Sequence, residues 1–221
     1  GTPNNNDAAQ NVAVGSKALT AILDGDNNVA VGYLAGAAIT TGGNNVIIGH
    51  QAGDGFTANT TMTLVGALAG TAINSDNSNG TVAIGYNSLG NLSSGAENTA
   101  LGTNAGLFAT TADGSTFIGF KAGQGITGAK LTGNNNTAVG HDAGLLLQSS
   151  AHSNTLVGST AGDAITSGFN NTCIGFGASI VDGGAQNRMA IGGGAVSGAN
   201  NRVVIGNTDV TDIFMAQDSG A

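Results

Sequence analysis

Short apolar runs recur along the chain, each ended by a glycine and followed by a polar stretch. Those glycines are Gly15, Gly32, Gly49, Gly66, Gly85, Gly102, Gly119, Gly140, Gly158, Gly175, Gly192 and Gly206, and their spacings are 17, 17, 17, 19, 17, 17, 21, 18, 17, 17 and 14. Most of the departures from 17 are small additions, so twelve copies of one unit fill nearly the whole chain. The unit reads N-[TV]-A-[VI]-G-x-x-A-G, then a second apolar position and a loop of Gly, Asn, Ser and Thr. NNVAVGYLAG, NNVIIGHQAG, NNTAVGHDAG and SNTLVGSTAG show it plainly. A unit this short cannot hold a helical hairpin, whose repeats need about 33 residues or more, but it suits one coil of a β-solenoid. The pattern therefore predicts an all-β fold, a β-roll or β-helix of about 12 coils. At ~4.8 Å per coil it would make a rod roughly 55–60 Å long. Residues 1–206 form the repeat shaft on this reading, and 207–221, which break the period, form an exit strand.

Columns of equivalent residues sharpen the expectation. One position before the anchor glycine every coil has a large aliphatic residue, from Val14 and Val31 to Ile191 and Ile205. This column is expected to face the core. Seven positions after the anchor stand Ile22, Ile39, Phe56, Ile73, Leu92, Ile126, Leu147 and Ile165, a second inward column on the opposite wall. Alternate strand residues point to opposite faces, so the column two before the anchor should point outward. It too is apolar, with Ala30, Ile47, Leu64, Phe117, Leu156 and Cys173 among its members. Strands apolar on both faces are buried on both, which predicts a second copy against this column and assigns those six residues to the interface of a homotrimer, the simplest closed rod-like assembly. A monomer with a weakly apolar outer face is the alternative.

Other columns read as architecture. Asn11, Asn28, Asn45, Asn98, Asn136, Asn154 and Asn171 stand four before the anchor, where stacked amides can bond their equivalents in neighbouring coils. Alanine three after the anchor fits a tight inward corner, and the glycine that often follows it supplies a positive φ.

Composition narrows the function classes. Of 221 residues 39 are glycine, and charged residues make up 8% against the roughly 25% usual in globular proteins. Five Lys+Arg and three His leave little for acid–base catalysis, and a net charge of −8 lacks the basic footprint of nucleic-acid binding. A hydrophobic content of 40% argues against a disordered low-complexity chain, and one proline against collagen. No apolar run approaches the ~20 residues of a membrane span, so no membrane insertion is expected. A lone cysteine cannot form an intramolecular disulfide. A first residue Gly1 rather than Met fits a processed chain or a part of a longer one.

Candidate chemistry is sparse. Asp24 and Asp26, beside Asn27 and Asn28, offer oxygens to a hard cation, but the other coils do not repeat them and a solvated turn is the favoured reading. His50, His141 and His152 lie in different coils without metal-ligand spacing. No catalytic residue, cofactor or metal is expected. Directly after the anchor stand Tyr33, His50, Tyr86, Phe120, His141 and Phe176. Rings displayed along a fibre can stack on sugar faces; the competing reading, a corner ladder packed against a neighbouring chain or between coils, is the favoured one.

The V-A-[VI]-G-x-x-[AS] run with Asn before it, stacked over residues 8–206, resembles the repeat regions of bacteriophage tail fibres and the head domains of trimeric autotransporter adhesins. The adhesin unit is shorter, near fourteen residues. The resemblance implies a parallel homotrimeric rod, left-handed in its coil, outside the cell: a virion tail fibre that attaches to a cell-surface glycan or outer-membrane receptor, or a bacterial surface adhesin. The segment NNRVVIGNTDVTDIFMAQDSGA resembles the strand that leads, in phage fibres, into a self-cleaving C-terminal chaperone, which implies a fibre trimmed at this end or a sequence boundary. Two further classes are a fibre-borne polysaccharide hydrolase and a monomeric ice-binding solenoid. The second needs an outward Thr array, and the column three before the anchor, which carries Thr, is expected to face inward.

Overall fold

A computed structural model describes residues 7–213. Its strands are β1 (Val12–Val14), β2 (Val29–Val31), β3 (Val46–Ile48), β4 (Thr63–Val65), β5 (Val82–Ile84), β6 (Thr99–Leu101), β7 (Thr116–Ile118), β8 (Thr137–Val139), β9 (Thr155–Val157), β10 (Thr172–Ile174), β11 (Ser179–Ile180), β12 (Met189–Ile191), β13 (Val196–Ser197) and β14 (Val203–Ile205). Twelve of them form one parallel sheet in the order β1 to β10, β12, β14, so about eleven turns of a β-solenoid separate the first from the last. Each strand pairs with its equivalent one repeat on, as Val29↔Val46, Ala30↔Ile47 and Val31↔Ile48. The opposite wall has little regular strand: β11 pairs with β13, and single bridges such as His152↔Phe169 and Phe169↔Gln186 continue the stack. There is no helix among the described residues.

The insertions loop out of the stack. In the longest coil Ile126 is exposed and closes a small antiparallel bridge to Ala129, while Leu131 takes the buried wall position, bridging Ala109 and Ser149. Ile126 is thus not part of the inward column. Ile39, Phe56, Ile73, Leu92, Leu147 and Ile165 are buried there, and Ile22 packs partly buried beside them. Residues 207–213 form no strand, and 1–6 and 214–221 lie outside the described residues.

The two faces of the strand are the reverse of the sequence expectation. Ala30, Ile47, Leu64, Phe117, Leu156 and Cys173, expected at a trimer interface, are fully buried inside the single chain. Val14, Ile48, Leu101, Ile174 and Ile205, expected in the core, are exposed on the outer face. Volume is the physical reason. A 17-residue coil encloses a narrow section, and the inward column mixes alanine with Ile, Leu and Phe, so that Phe117 and Leu156 each have alanine in a neighbouring coil. Phe117 fills the space over Gly106 and Gly123; a Cβ on Gly123 would collide with the Phe117 ring. Column three before the anchor, including Thr63, Thr99, Thr116, Thr137, Thr155 and Thr172, faces outward with the aliphatics that share its parity. The inward placement used against an ice-binding face is therefore overturned.

Two corners fix the coil. At Gly32 the chain turns with φ +140°, and a Cβ there would lie 2.5 Å from the carbonyl oxygen of Gly49 in the next coil. Only a hydrogen fits, which is why the anchor is glycine throughout. At the other end of the strand the Asn-Asn doublet divides two tasks. Asn27, Asn44, Asn135 and Asn170 adopt φ of +56° to +60°, a region asparagine tolerates better than most L-residues. The second asparagine turns inward into the amide ladder. Asn45 donates from its backbone N and Nδ2 to Asn28 Oδ1 (3.1 and 2.9 Å) and from Nδ2 to Asn59 O (2.9 Å). Asn136, Asn154 and Asn171 repeat the arrangement. At the far end Arg188 closes the ladder: its backbone N donates to Asn171 Oδ1, and its buried guanidinium bonds Asn200 Oδ1, Asp182 Oδ2 and Ser197 O. Where Met62 and Thr81 replace Asn the ladder breaks, and there Asn59 Oδ1, Ser78 Oγ and Thr81 Oγ1 are buried without partners.

Candidate binding and assembly faces

The three-residue strands present two outward side chains per coil, and parallel pairing stacks them into two straight rows. One row is aliphatic in every coil; the other mixes valine with threonine and Met189. Twelve strands at ~4.8 Å make this face about 55 Å long. Val14 is 56% exposed and Leu101 45%. No acid or base interrupts either row.

Beside this face, just past the anchor glycine, lie all six ring residues expected from the sequence, and all six are exposed. Backbone bonds hold them in register: Gln51 N donates to Tyr33 O (2.8 Å), Asn104 N to Tyr86 O (3.0 Å), Asp142 N to Phe120 O (3.0 Å) and Gly194 N to Phe176 O (2.9 Å). Rings in adjacent coils stack. Tyr33 and His50 have centroids 5.5 Å apart and planes 21° off parallel; Phe120 and His141 are 5.1 Å apart at 27°. Lys121 Nζ lies 5.1 Å from the Phe120 ring centre, within cation–π range. His141 Nδ1 is 3.1 Å from Asp142 Oδ2. Tyr86 and Phe176 have no ring stacked on them among the described residues, and Phe176 is 73% exposed.

A second column escaped the sequence reading. Six positions before the anchor, short polar side chains cap backbone amides of the coil before: Asp26 accepts from Ala9 N (2.7 Å), Asn79 from Thr60 N (2.8 Å), Asp113 from Ala96 N (2.8 Å) and Asn134 from Asp113 N (2.9 Å). In the same column His152 stacks on Phe169 at 4.8 Å and 6°. Recurrence of Asp and Asn at that offset was the available signal. Asp26, one of the two carboxylates weighed for a cation, is thus engaged in capping. Among the described residues no three His, Cys, Asp or Glu gather where they could hold a metal ion. Cys173 is buried in the core, and burial, with the Asp163 charge adding to it, pushes its thiol up to about 12.

The fold defines the class: a repeat protein built as a parallel β-solenoid. No protein-family model matches the chain, and no curated protein matches it either.

Proposed function

We propose that this chain is a structural and adhesive fibre segment of the phage tail-fibre type, assembled as a parallel homotrimer that attaches to a host cell surface. One observation carries the reading: an outward sheet face with an unbroken aliphatic row from end to end and no charge on it. Exposed patches of more than a few hundred Å² mark interaction sites, and this one, about 55 Å by about 10 Å, is on the order of 500 Å². Its rows stand two residues apart, so around a threefold axis each row can meet a different neighbour. The interface assigned here is the outward column containing Val31, Ile48, Ile84 and Ile118, not the buried column inferred from sequence. Three chains displaying the same rim multiply weak surface contacts, and the acidic net charge limits indiscriminate adsorption to anionic envelopes. A bacterial surface adhesin of the same build is the alternative, and both place the chain outside the cell. This reading assigns the rod no catalytic step.

Light scattering on the intact chain tests the assembly. The expected mass is three times 21.3 kDa, stable to dilution. Ile84→Glu with Ile118→Glu is expected to give a folded monomer with an unchanged circular dichroism spectrum. A wild-type monomer overturns the fibre reading. The outward Thr row then favours a second one, an ice-binding face, which thermal hysteresis measures directly.

A further inference from the structure

Along the ring column, paired rings alternate with small residues in a regular way. Where rings occupy adjacent coils they stack on each other. Elsewhere one small residue separates two rings: Ala67 between His50 and Tyr86, Thr103 between Tyr86 and Phe120, and Ser159 between His141 and Phe176. The backbone ladder runs through these coils unbroken, with Leu68 N on His50 O (2.9 Å), Asn87 N on Ala67 O (2.9 Å), Lys121 N on Thr103 O (3.0 Å) and Gly177 N on Ser159 O (2.9 Å). The flanking ring positions are therefore two strand spacings apart, about 10 Å. That leaves room for one flat six-membered ring at about 5 Å from each wall, inside the 4.5–7 Å range of ring stacking.

Resting on the adhesive reading above, we infer that these three gaps are slots for terminal pyranose residues of a cell-surface glycan, one sugar inserted edge-on per slot. A pyranose carries apolar C–H faces and a rim of hydroxyls. The slots offer the complement: ring positions on both sides, and hydroxyl floors at Thr103 and Ser159. Lys121 and Thr160 follow a ring and a floor residue directly in the chain. A wholly apolar ring in these slots would cover the floor hydroxyls without pairing them, at a cost a sugar avoids. The separations along a stiff rod, two coils and then three, favour branched or clustered glycans whose ends reach several slots together.

Saturation-transfer NMR on the full chain tests this, with the methyl glycosides of glucose, galactose, mannose, rhamnose and N-acetylglucosamine, and with indole as a flat non-sugar probe. At least one glycoside is expected to receive saturation at its ring C–H protons. Thr103→Phe with Ser159→Phe fills two of the three slots and is expected to cut that signal to about a third, with the mass in light scattering unchanged. Tyr86→Ala, which removes the wall shared by two slots, is expected to do the same. The chain has no tryptophan and two tyrosines, so in Tyr33→Phe the emission of Tyr86 alone reports the sugar. Silence from every glycoside, transfer that survives both sets of variants, or transfer to indole alone overturns the sugar slots. A trimer without sugar transfer overturns the slots and leaves the fibre standing; a monomer with it does the reverse.

Discussion

Asn154→Ala isolates what the amide ladder contributes. The Asn154 side chain donates from Nδ2 to Asn136 Oδ1 (2.9 Å) and Gly168 O (2.8 Å), and its Oδ1 accepts from Asn171 N (3.1 Å) and Nδ2 (3.0 Å). Truncation removes all of these inside a core that water does not reach. Asn136 Oδ1 keeps the backbone N of residue 154, and Asn171 Nδ2 keeps Ala185 O. Two groups lose what the side chain gave them and gain nothing: Gly168 O and Asn171 N. Each buried orphan costs about 1–3 kcal/mol, and each of the other two lost bonds about 1 kcal/mol net. The expected loss is about 4–8 kcal/mol, comparable with the lower half of a whole domain's stability. Asn11→Ala is the control. Asn11 makes like bonds to Asn28 and Gly25, but it is only partly buried and water replaces part of what is lost, so about 1–2 kcal/mol is expected. Urea unfolding at matched protomer concentration, followed by circular dichroism, reads both values. Hydrogen exchange at the Asn171 amide should speed up in Asn154→Ala alone, because a solenoid opens through nearest-neighbour interfaces. Equal losses in the two variants, or a loss under about 1 kcal/mol at Asn154, would refute the argument that ladder amides stabilise the rod through burial.

Further outcomes follow from the interior. Thr81→Asn restores an amide at the break in the ladder, where Asn98 Nδ2 turns to Gly95 O of its own coil; a gain of about 1 kcal/mol in the urea midpoint is expected, and any loss refutes the ladder register there. Phe117→Ala should cost about 3–5 kcal/mol by cavity formation. Gly123→Ala should also destabilise, less so in a Phe117→Leu background, and a double-mutant cycle showing no coupling refutes their close packing. Cys173 should resist iodoacetamide at pH 8 until the rod unfolds. Its thiol is raised from 9.0 to about 12 in the folded chain, so this group costs the fold nothing below pH 9; stability is lost as pH climbs from about 9 to about 12, where the unfolded thiol ionises first. Thermal melts across that window check the sign, and rapid alkylation of the folded protein refutes the burial.

The period of the anchor glycines was legible because a solenoid repeats its backbone requirements in every coil. Gly32 meets Gly49 where no Cβ fits, and each equivalent pair writes the same letter into the sequence. The amide ladder and the Ala-Gly corners were legible for the same reason. The six rim rings were legible as one column, since position after a fixed corner is a local matter, but the sequence alone did not separate exposed rings from a packed ladder. Which strand face turns inward was not read correctly. β3 is apolar at all three positions, Val46, Ile47 and Ile48, and period-two alternation names two faces without saying which is inside. Two signals pointed the right way. The buried Asn45 has the parity of Ile47, and Thr at 63, 99, 116, 137, 155 and 172 has the parity of the aliphatic row.

What the sequence determined by itself was the coil: its length, its corners, its ladder and its rod-like stacking, all set by residues close together in the chain or one repeat apart. Only the tertiary structure decided the inside from the outside. A narrow solenoid has interior volume for alanine beside Phe117 or Leu156 but not for a large aliphatic in every coil, so the unbroken Val/Ile/Leu row is left facing out. That choice depends on the summed side-chain volume across neighbouring coils, a quantity no single repeat contains.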